Sequence, residues 1–155
     1  MAEPMVRARA LSGYVQIARR HGLAPQDLLR QVGLDAAVLL KLDHRIPITS
    51  VCHLLEGAAS SAKCPTFGLE MAETRQPFDF GMLELMLSHK RTLREVLLAA
   101  VEYRHLLNEA LAIHVEVGGS TVVIHEEIIA EQGITTHQAT ELAMGVLARS
   151  CVALL

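Results

Sequence analysis

The chain has 155 residues, of which 51% are hydrophobic, 20% charged and 3% aromatic. This length suits one domain that buries a core without disulfides. The net charge of −3 argues against nucleic-acid binding by the chain itself, because phosphate contacts need clustered Lys and Arg. No apolar run reaches the roughly 18 residues of a membrane span, and three scattered cysteines suit a reducing compartment. The expectation is a cytoplasmic protein without membrane contact.

The N-terminal half is predicted to form a series of short helices. Apolar residues recur at helical spacing over residues 6–20, which predicts the first helix. Pro25 and Asp35 favour helix starts, so further helices are predicted over 25–32 and 35–42. Another is predicted from about residue 49 to 62, and Pro65 is expected to begin a shorter one.

The middle of the chain begins with an apolar loop over residues 77–81. Residues 82–87 are apolar on nearly every side, which predicts a fully buried short helix. Thr92 and Glu95 have the spacing of a capping box, in which each side chain accepts from the other residue's backbone amide. The helix that they open is predicted to run to about residue 108.

Alternating apolar residues then change the period from helix to strand. Gly118-Gly119 predicts a hairpin turn that pairs Val115 with Val122 and Ile113 with Ile124. The other face of the hairpin carries His114 and His125, which could bind a metal, a haem edge or an acidic ligand. A solvated face is the favoured interpretation, since antiparallel hairpins commonly leave one face in water.

The last segment, residues 136–155, is predicted to be helical, with Thr135 and Gln138 as a second capping box. A second apolar stripe on this helix exceeds what a surface helix needs, which predicts a dimer or interdomain contact. The chain stops within this apolar helix, so the parent protein is expected to continue past residue 155. The contact residues are Met144, Leu147, Cys151 and Leu155.

Motifs for catalysis or metal binding were sought among the eight histidines and three cysteines. Cys52 and His53 are adjacent and point to different helix faces, so with Cys64 they do not make a shared metal site. The sequence has no phosphate-binding glycine loop and no nucleophile elbow. We therefore expect a protein that is not an enzyme, with no metal and no cofactor.

A ligand pocket is predicted between residues 78–86, the helix over 92–108 and the hairpin. Such a pocket needs adaptable apolar walls and a few polar groups that orient the ligand. Tyr103 is the preferred polar group, because it shares the apolar stripe of its helix. The candidate ligand-binding residues are Phe80, Met82, Met86, Tyr103 and Arg104.

Several short motifs follow one another in a characteristic order. They are Val32-Gly33-Leu34-Asp35, Arg45-Ile46-Pro47, Pro65-Thr66-Phe67-Gly68-Leu69, Phe80-Gly81 and Thr92-Leu93-Arg94-Glu95. Their order and spacing resemble the N-terminal domain of AraC-type bacterial transcription regulators, which is loosely called arabinose-binding-like. The resemblance covers nearly the whole chain.

This resemblance implies a domain over residues 1–155 that senses a small-molecule effector and forms a homodimer. Promoter DNA would be bound only by a C-terminal helix-turn-helix domain expected beyond residue 155. The alternatives are a dimerisation module without a ligand and, third, a haem or metal sensor using His114 and His125. The expected fold class is α+β, mostly helical with one hairpin near residues 111–128 and further strands beyond the chain.

Overall fold

The computed structural model describes residues 2–155, except for the side chains of Met82 and Leu107. The fold is α+β, with 53% of residues helical and two small antiparallel two-stranded sheets, which confirms the predicted fold class. The helices are α1 (Tyr14–Arg20), α2 (Pro25–Gln31), α3 (Ile48–Ala62), α4 (Phe67–Thr74), α5 (Met82–Leu87), α6 (Leu93–Glu102), α7 (Arg104–Leu107) and α8 (His137–Ala153), and the strands are β1 (Met5–Arg7), β2 (Arg45–Pro47), β3 (Leu111–Gly118) and β4 (Thr121–Ile128).

The main core is formed by the apolar faces of α1, α3, α4 and α8. Tyr14, Ile17, Leu55 and Phe67 in this core are completely buried. The Tyr14 hydroxyl donates a hydrogen bond of 3.1 Å to the Pro25 carbonyl, and burial raises the pKa of Tyr14 to about 12. The Tyr14 ring lies 6.4 Å from the Phe67 ring and so packs α1 against α4.

Close packing of α4 on α8 depends on two glycines. A Cβ at Gly68 would lie 2.2 Å from the Gln138 carbonyl oxygen, and one at Gly145 would lie 2.7 Å from the Cβ of Ala72.

The predicted capping box of Thr135 and Gln138 is wrong, because the Gln138 side chain is buried between α4 and α8. Its Oε1 accepts from the Gly68 N–H at 2.8 Å and its Nε2 donates to the Pro65 carbonyl at 2.8 Å.

The predicted first helix over residues 6–20 is also wrong in its first half. Val6 lies in β1 and pairs with Ile46 of β2, and a 3-10 helix (Ala8–Leu11) follows. Gly13 adopts a φ of +86°, which breaks the helical path before α1 begins. Helical spacing was misleading because strand pairing and the 3-10 turn bury the same apolar residues.

A second 3-10 helix (Ala36–Leu40) replaces the α-helix predicted over residues 35–42. Its predicted cap is confirmed, since the Asp35 carboxylate accepts from the Ala37 N–H at 2.7 Å. The short apolar segment is anchored by Val38, which is buried. A segment this short gains little from continuing as an α-helix.

The hairpin of β3 and β4 is confirmed, but its predicted register is wrong by two residues. Val115 pairs with Ile124 and Val117 with Val122, so the turn is Gly119-Ser120. Gly119 has a φ of +60°, whereas Gly118 keeps the extended backbone of β3. The same residues remain on the inner face, because a shift of two preserves the side-chain alternation.

The capping box of α6 is confirmed, with the Thr92 hydroxyl accepting from the Glu95 N–H at 3.2 Å. The Arg91 and Thr92 amides bond to the Glu95 carboxylate and lower its pKa. The predicted helix over residues 92–108 breaks at Tyr103, whose φ of −101° and ψ of 17° separate α6 from α7. The break lets the Tyr103 ring pack against a cluster that α5 and α6 share.

This small cluster consists of Leu83, Leu87, Val96 and Ala99, with three aromatic rings packed around it. The prediction that α5 is buried on all sides is wrong, because Leu85 is 73% exposed. Two turns of helix bury only the face on which Leu83 and Leu87 lie, four residues apart. Across residues 2–155, no helix combines the length and apolarity of a membrane-spanning segment.

Candidate functional site: a cavity between the main core and the small cluster

A cavity of about 150 Å³ lies between the main core and the small cluster. The inner face of the hairpin forms one wall, through residues such as Ile113 and Ile128. α6 contributes Val96 and Leu97, and α8 contributes Val146 together with small residues such as Ala143. The walls are therefore mostly apolar and come from segments distant in sequence.

A cluster of charged residues forms one polar part of the lining. The Arg9 Nη1 donates to Asp79 Oδ1 at 2.9 Å, so that this pair is neutral overall. Arg75 donates weakly to the Asp79 carbonyl at 3.4 Å, and its buried Nε has no hydrogen-bond partner within the described part of the chain. Burial lowers the pKa of Arg75, and the nearby Asp79 carboxylate raises it in part. Arg75 is the guanidinium here whose charge is least compensated.

Glu126 supplies a second polar group from the inner face of β4. It pairs directly with Ile113 of β3, and its Oε2 is buried with no hydrogen-bond partner among the described residues. Burial raises the pKa of Glu126 to about 7. A buried carboxyl group without a partner is costly, and a bound donor would satisfy it.

The loop before α5 lines the cavity in a strained conformation. Phe78 has a φ of +62°, in the left-handed region that costs a non-glycine residue about 1–2 kcal/mol. Its N–H donates to the Ser150 hydroxyl of α8 at 3.2 Å, and this hydroxyl donates to the Val146 carbonyl at 2.9 Å. α8 therefore holds the loop so that Phe78 and Phe80 face the cavity.

The predicted ligand-binding residues are dispersed by the structure. Phe80 lines the cavity, whereas Tyr103 packs against the small cluster. Met86 is partly exposed, and the Arg104 guanidinium donates to the Val101 carbonyl at 3.2 Å on the surface. The Met82 side chain lies outside the described residues. Of the four candidates whose side chains are described, Phe80 alone lines the cavity, and the role of all five in binding stays a prediction.

The predicted contact stripe of α8 divides into two sets. Leu147 and Cys151 line the cavity, and burial together with the charge of Glu126 raises the pKa of the Cys151 thiol. Met144 is 55% exposed and Leu155 is 95% exposed. The first pair therefore belongs to the candidate site, and the second pair remains available for a partner.

His114 and His125 lie directly opposite each other on the outer face of the hairpin, with ring centroids 6.1 Å apart. Both side chains are largely exposed, and the Glu116 carboxylate lies 3.4 Å from His114 Nε2 and 3.9 Å from His125 Nε2. This arrangement matches the solvated face that the sequence favoured. It does not adjoin the cavity.

Two cavity residues were missed from the sequence, for different reasons. Glu126 occupies an inward position of the alternating strand Val122, Ile124, Ile128, so a carboxylate within that pattern was a visible signal. Arg75 follows α4 in a segment that predicts only a helix end. Its burial depends on tertiary packing around the cavity, where Arg9 and Asp79 lie beside it, and no local pattern reports such packing.

Comparison with known proteins assigns the chain to one family. No curated protein matches the chain. Residues 22–155 match the family described as the arabinose-binding domain of AraC transcription regulators, N-terminal. The match covers most of the chain, and the family consists of non-enzymatic regulatory domains. The chain therefore belongs to the arabinose-binding N-terminal domain family of AraC transcription regulators.

Proposed function

We propose that this chain is the effector-sensing domain of an AraC-type regulator and that the effector occupies the cavity. The single observation that carries the proposal is an apolar cavity of about 150 Å³ lined by buried, unpartnered polar atoms. Ligand sites commonly combine apolar walls with a few placed polar groups. A cavity of about this volume accommodates a molecule the size of benzene, so a small organic effector fits.

The lining favours an effector with an apolar body and two kinds of polar group. Arg75 Nε needs an acceptor such as a carboxylate, and Glu126 Oε2 needs a donor such as an amine or hydroxyl. The family name mentions arabinose, which carries hydroxyl groups along its whole length. Such a sugar would leave several hydroxyls against Val96, Ile113 and Val146, so the apolar walls favour a different effector.

The proposed mechanism is a shift of population. The cavity joins α8 to α6 and the hairpin, so an effector that contacts all of them favours the arrangement in which they are closed around it. A DNA-binding domain of the same regulator would convert this shift into a change of promoter binding. An effector that bound all arrangements with equal affinity would not shift their populations.

Self-association is the second part of the proposal. Met144 and Val152 on α8 and Leu155 just after it expose apolar surface, and this surface would contact a second copy or another domain of the regulator. Sedimentation velocity over a range of concentrations tests this. Met144→Glu should weaken association about tenfold or more, whereas Leu40→Glu, on an exposed 3-10 helix, should not. Equal behaviour of both variants would remove α8 from the interface.

A thermal-shift screen tests the effector site. The probes are small aromatic and branched aliphatic carboxylates, amines and amino acids, since these carry the groups that Arg75 and Glu126 lack. A compound that raises Tm and carries an amine or hydroxyl donor should lose about tenfold in affinity with Glu126→Gln. The matched control is Glu127→Gln, because Glu127 is adjacent on β4 but points to the exposed outer face. If Glu127→Gln weakens binding as much, the effector does not bind in this cavity.

A further inference from the structure

A second cluster of chemically active side chains lies outside the cavity. His21, Cys64 and Glu70 place one donor atom each within 4.8 Å of one another. His21 Nε2 lies 2.9 Å from Glu70 Oε2, and the Cys64 thiol donates to Glu70 Oε1 at 3.2 Å. His21 lies 49 residues before Glu70, whereas Cys64 and Glu70 are six residues apart, and these spacings match no metal-binding motif. None of the three lines the cavity.

Each of these residues sits on backbone that the local structure fixes. His21 caps the end of α1, where its N–H donates to the Ile17 carbonyl at 3.1 Å and its ring packs 6.1 Å from Phe67. Cys64 follows a left-handed Lys63, and its N–H donates to the Ala59 carbonyl at 2.9 Å. Glu70 lies within α4. The three side chains therefore start from positions set by the main core.

We infer that these three residues form a binding site for a divalent transition metal, with Zn²⁺ as the best-suited ion. Imidazole nitrogen, thiolate sulfur and carboxylate oxygen are the donors that zinc takes at about 2.0–2.3 Å. Tetrahedral bonds of those lengths place donors roughly 3.3–3.7 Å apart. The two hydrogen bonds use different oxygens of Glu70, so metal binding requires this carboxylate to rotate and present one oxygen. All the donor atoms lie within 4.8 Å of one another, so the longest separation closes by roughly 1 Å at most.

The surroundings leave room for a fourth ligand. The Cys64 residue is buried, whereas the His21 and Glu70 side chains are about one quarter exposed, so one side of the cluster meets solvent. Water would complete the four-coordinate shell there. Binding would release the Cys64 thiol proton to solvent, because the thiolate is the metal ligand. The carboxylate and the thiolate together neutralise the dication.

One nearby cation opposes the site. Arg20 Nη1 lies 3.9 Å from Glu70 Oε2. Its side chain is 54% exposed, so it can turn into water when a metal takes the carboxylate. The bound ion would link the end of α1 and the residues after α3 to α4. A ligand that binds only the native state stabilises it, so the bound metal would stabilise the main core.

Titration of the metal-free protein with Co²⁺ tests the site, because cobalt reports a thiolate ligand and a tetrahedral geometry by its absorption. We expect one Co²⁺ per chain, with a thiolate charge-transfer band that Zn²⁺ abolishes by displacement. Cys64→Ser should remove this band. Glu70→Gln and His21→Gln should weaken Zn²⁺ binding by about tenfold or more, since loss of even an outer-shell partner of a metal ligand costs about 10–100-fold.

Two control variants separate this site from other donors in the chain. Cys151→Ser removes a thiol that lines the cavity, and His53→Gln removes an exposed imidazole, so both should keep the spectrum. Circular dichroism verifies that each variant is folded. If Cys64→Ser does not fold, folded Glu70→Gln replaces it as the test, and loss of the tetrahedral spectrum in that variant supports the site. A folded wild type without a charge-transfer band, or a band that disappears in Cys151→Ser, would overturn the inference.

Discussion

The two apolar clusters that face each other across the cavity differ in how deeply they are buried. The main core holds completely buried residues such as Tyr14, Ile17 and Phe67, contributed by several helices. The small cluster has four buried members, and its helices α5 and α6 expose Leu85 and Leu98 on their outer sides. The main core is therefore the deeply buried wall of the cavity, here called the thick side. The small cluster with α5 and α6 is the less buried wall, here called the thin side.

This difference indicates how the cavity would respond to an effector. Regions with few buried apolar contacts open at lower free energy than the core. The strained Phe78 lies on the thin side and is held by one hydrogen bond to Ser150. An effector would therefore act on α5, α6 and the loop before them, while the main core keeps its structure.

The largest expected effect comes from the thick side. Phe67→Ala removes a completely buried ring that contacts Tyr14, so it should lower the free energy of unfolding by about 3–5 kcal/mol. Urea denaturation followed by circular dichroism measures this. A loss below about 1 kcal/mol would show that Phe67 does not belong to the stabilising core.

Leu83→Ala tests the thin side. The residue is buried but belongs to the small cluster, so we expect about 2 kcal/mol, at the low end of such substitutions. Hydrogen exchange should accelerate at the amides of α5 and α6 and stay slow in α3 and α4. Uniform acceleration across all of these helices would contradict the distinction between the two walls.

Glu126→Gln tests the buried carboxyl group between the two walls. Because the folded pKa of about 7 lies above the ordinary value of 4.5, the folded chain retains a proton that the unfolded chain releases. Wild-type stability should fall as pH rises between these values and level off above them. The variant removes that loss, so it should be more stable by about 2 kcal/mol at pH 8 and nearly equal at pH 4.

Thermal unfolding at both pH values measures this difference, with Glu127→Gln as the matched control. Glu127 lies on the exposed outer face of the same strand, so its variant should follow the wild type at each pH. A stability gain for Glu126→Gln that is the same at pH 4 and pH 8 would contradict a titrating buried carboxyl group.

Thr92→Ala, at the start of α6 on the thin side, should have the smallest effect on the free energy of unfolding. The Thr92 hydroxyl caps the Glu95 N–H, and loss of such a cap costs about 1 kcal/mol. Hydrogen exchange should accelerate mainly in the first turn of α6. An unchanged exchange rate there would show that packing alone, and not the cap, determines where this helix begins.

Local signals in the sequence were sufficient for the helix-rich fold, the hairpin and the capping box of Thr92 and Glu95. These local signals did not predict the structure at positions where contacts with residues distant in sequence determine it. Val6 has helical spacing but pairs with Ile46, and the side chain of Gln138 bridges α4 and α8 instead of capping a helix. Neither partner is visible in a local window of the sequence.

The candidate site was less predictable than the fold. Phe80 lines the cavity through its short apolar loop, and its role in ligand binding stays a prediction. Tyr103 was expected to share the pocket as part of a straight helix, and the break after α6 directs it to the small cluster. Arg75 depends on tertiary packing, whereas Glu126 was marked by its inward position in β4.

The most direct test of the central claim, that the cavity between the two walls receives the apolar body of a small molecule, is a methyl-NMR titration with benzene as the probe. A dry cavity of this size binds benzene in other proteins. We predict that methyl signals of Val96, Ile113 and Val146 shift, whereas that of the exposed Val152 does not. Ala143→Leu fills the cavity and should abolish these shifts, whereas Ala148→Leu, exposed on the same helix, should preserve them. Shifts confined to exposed methyls, or shifts that persist in Ala143→Leu, would contradict the account.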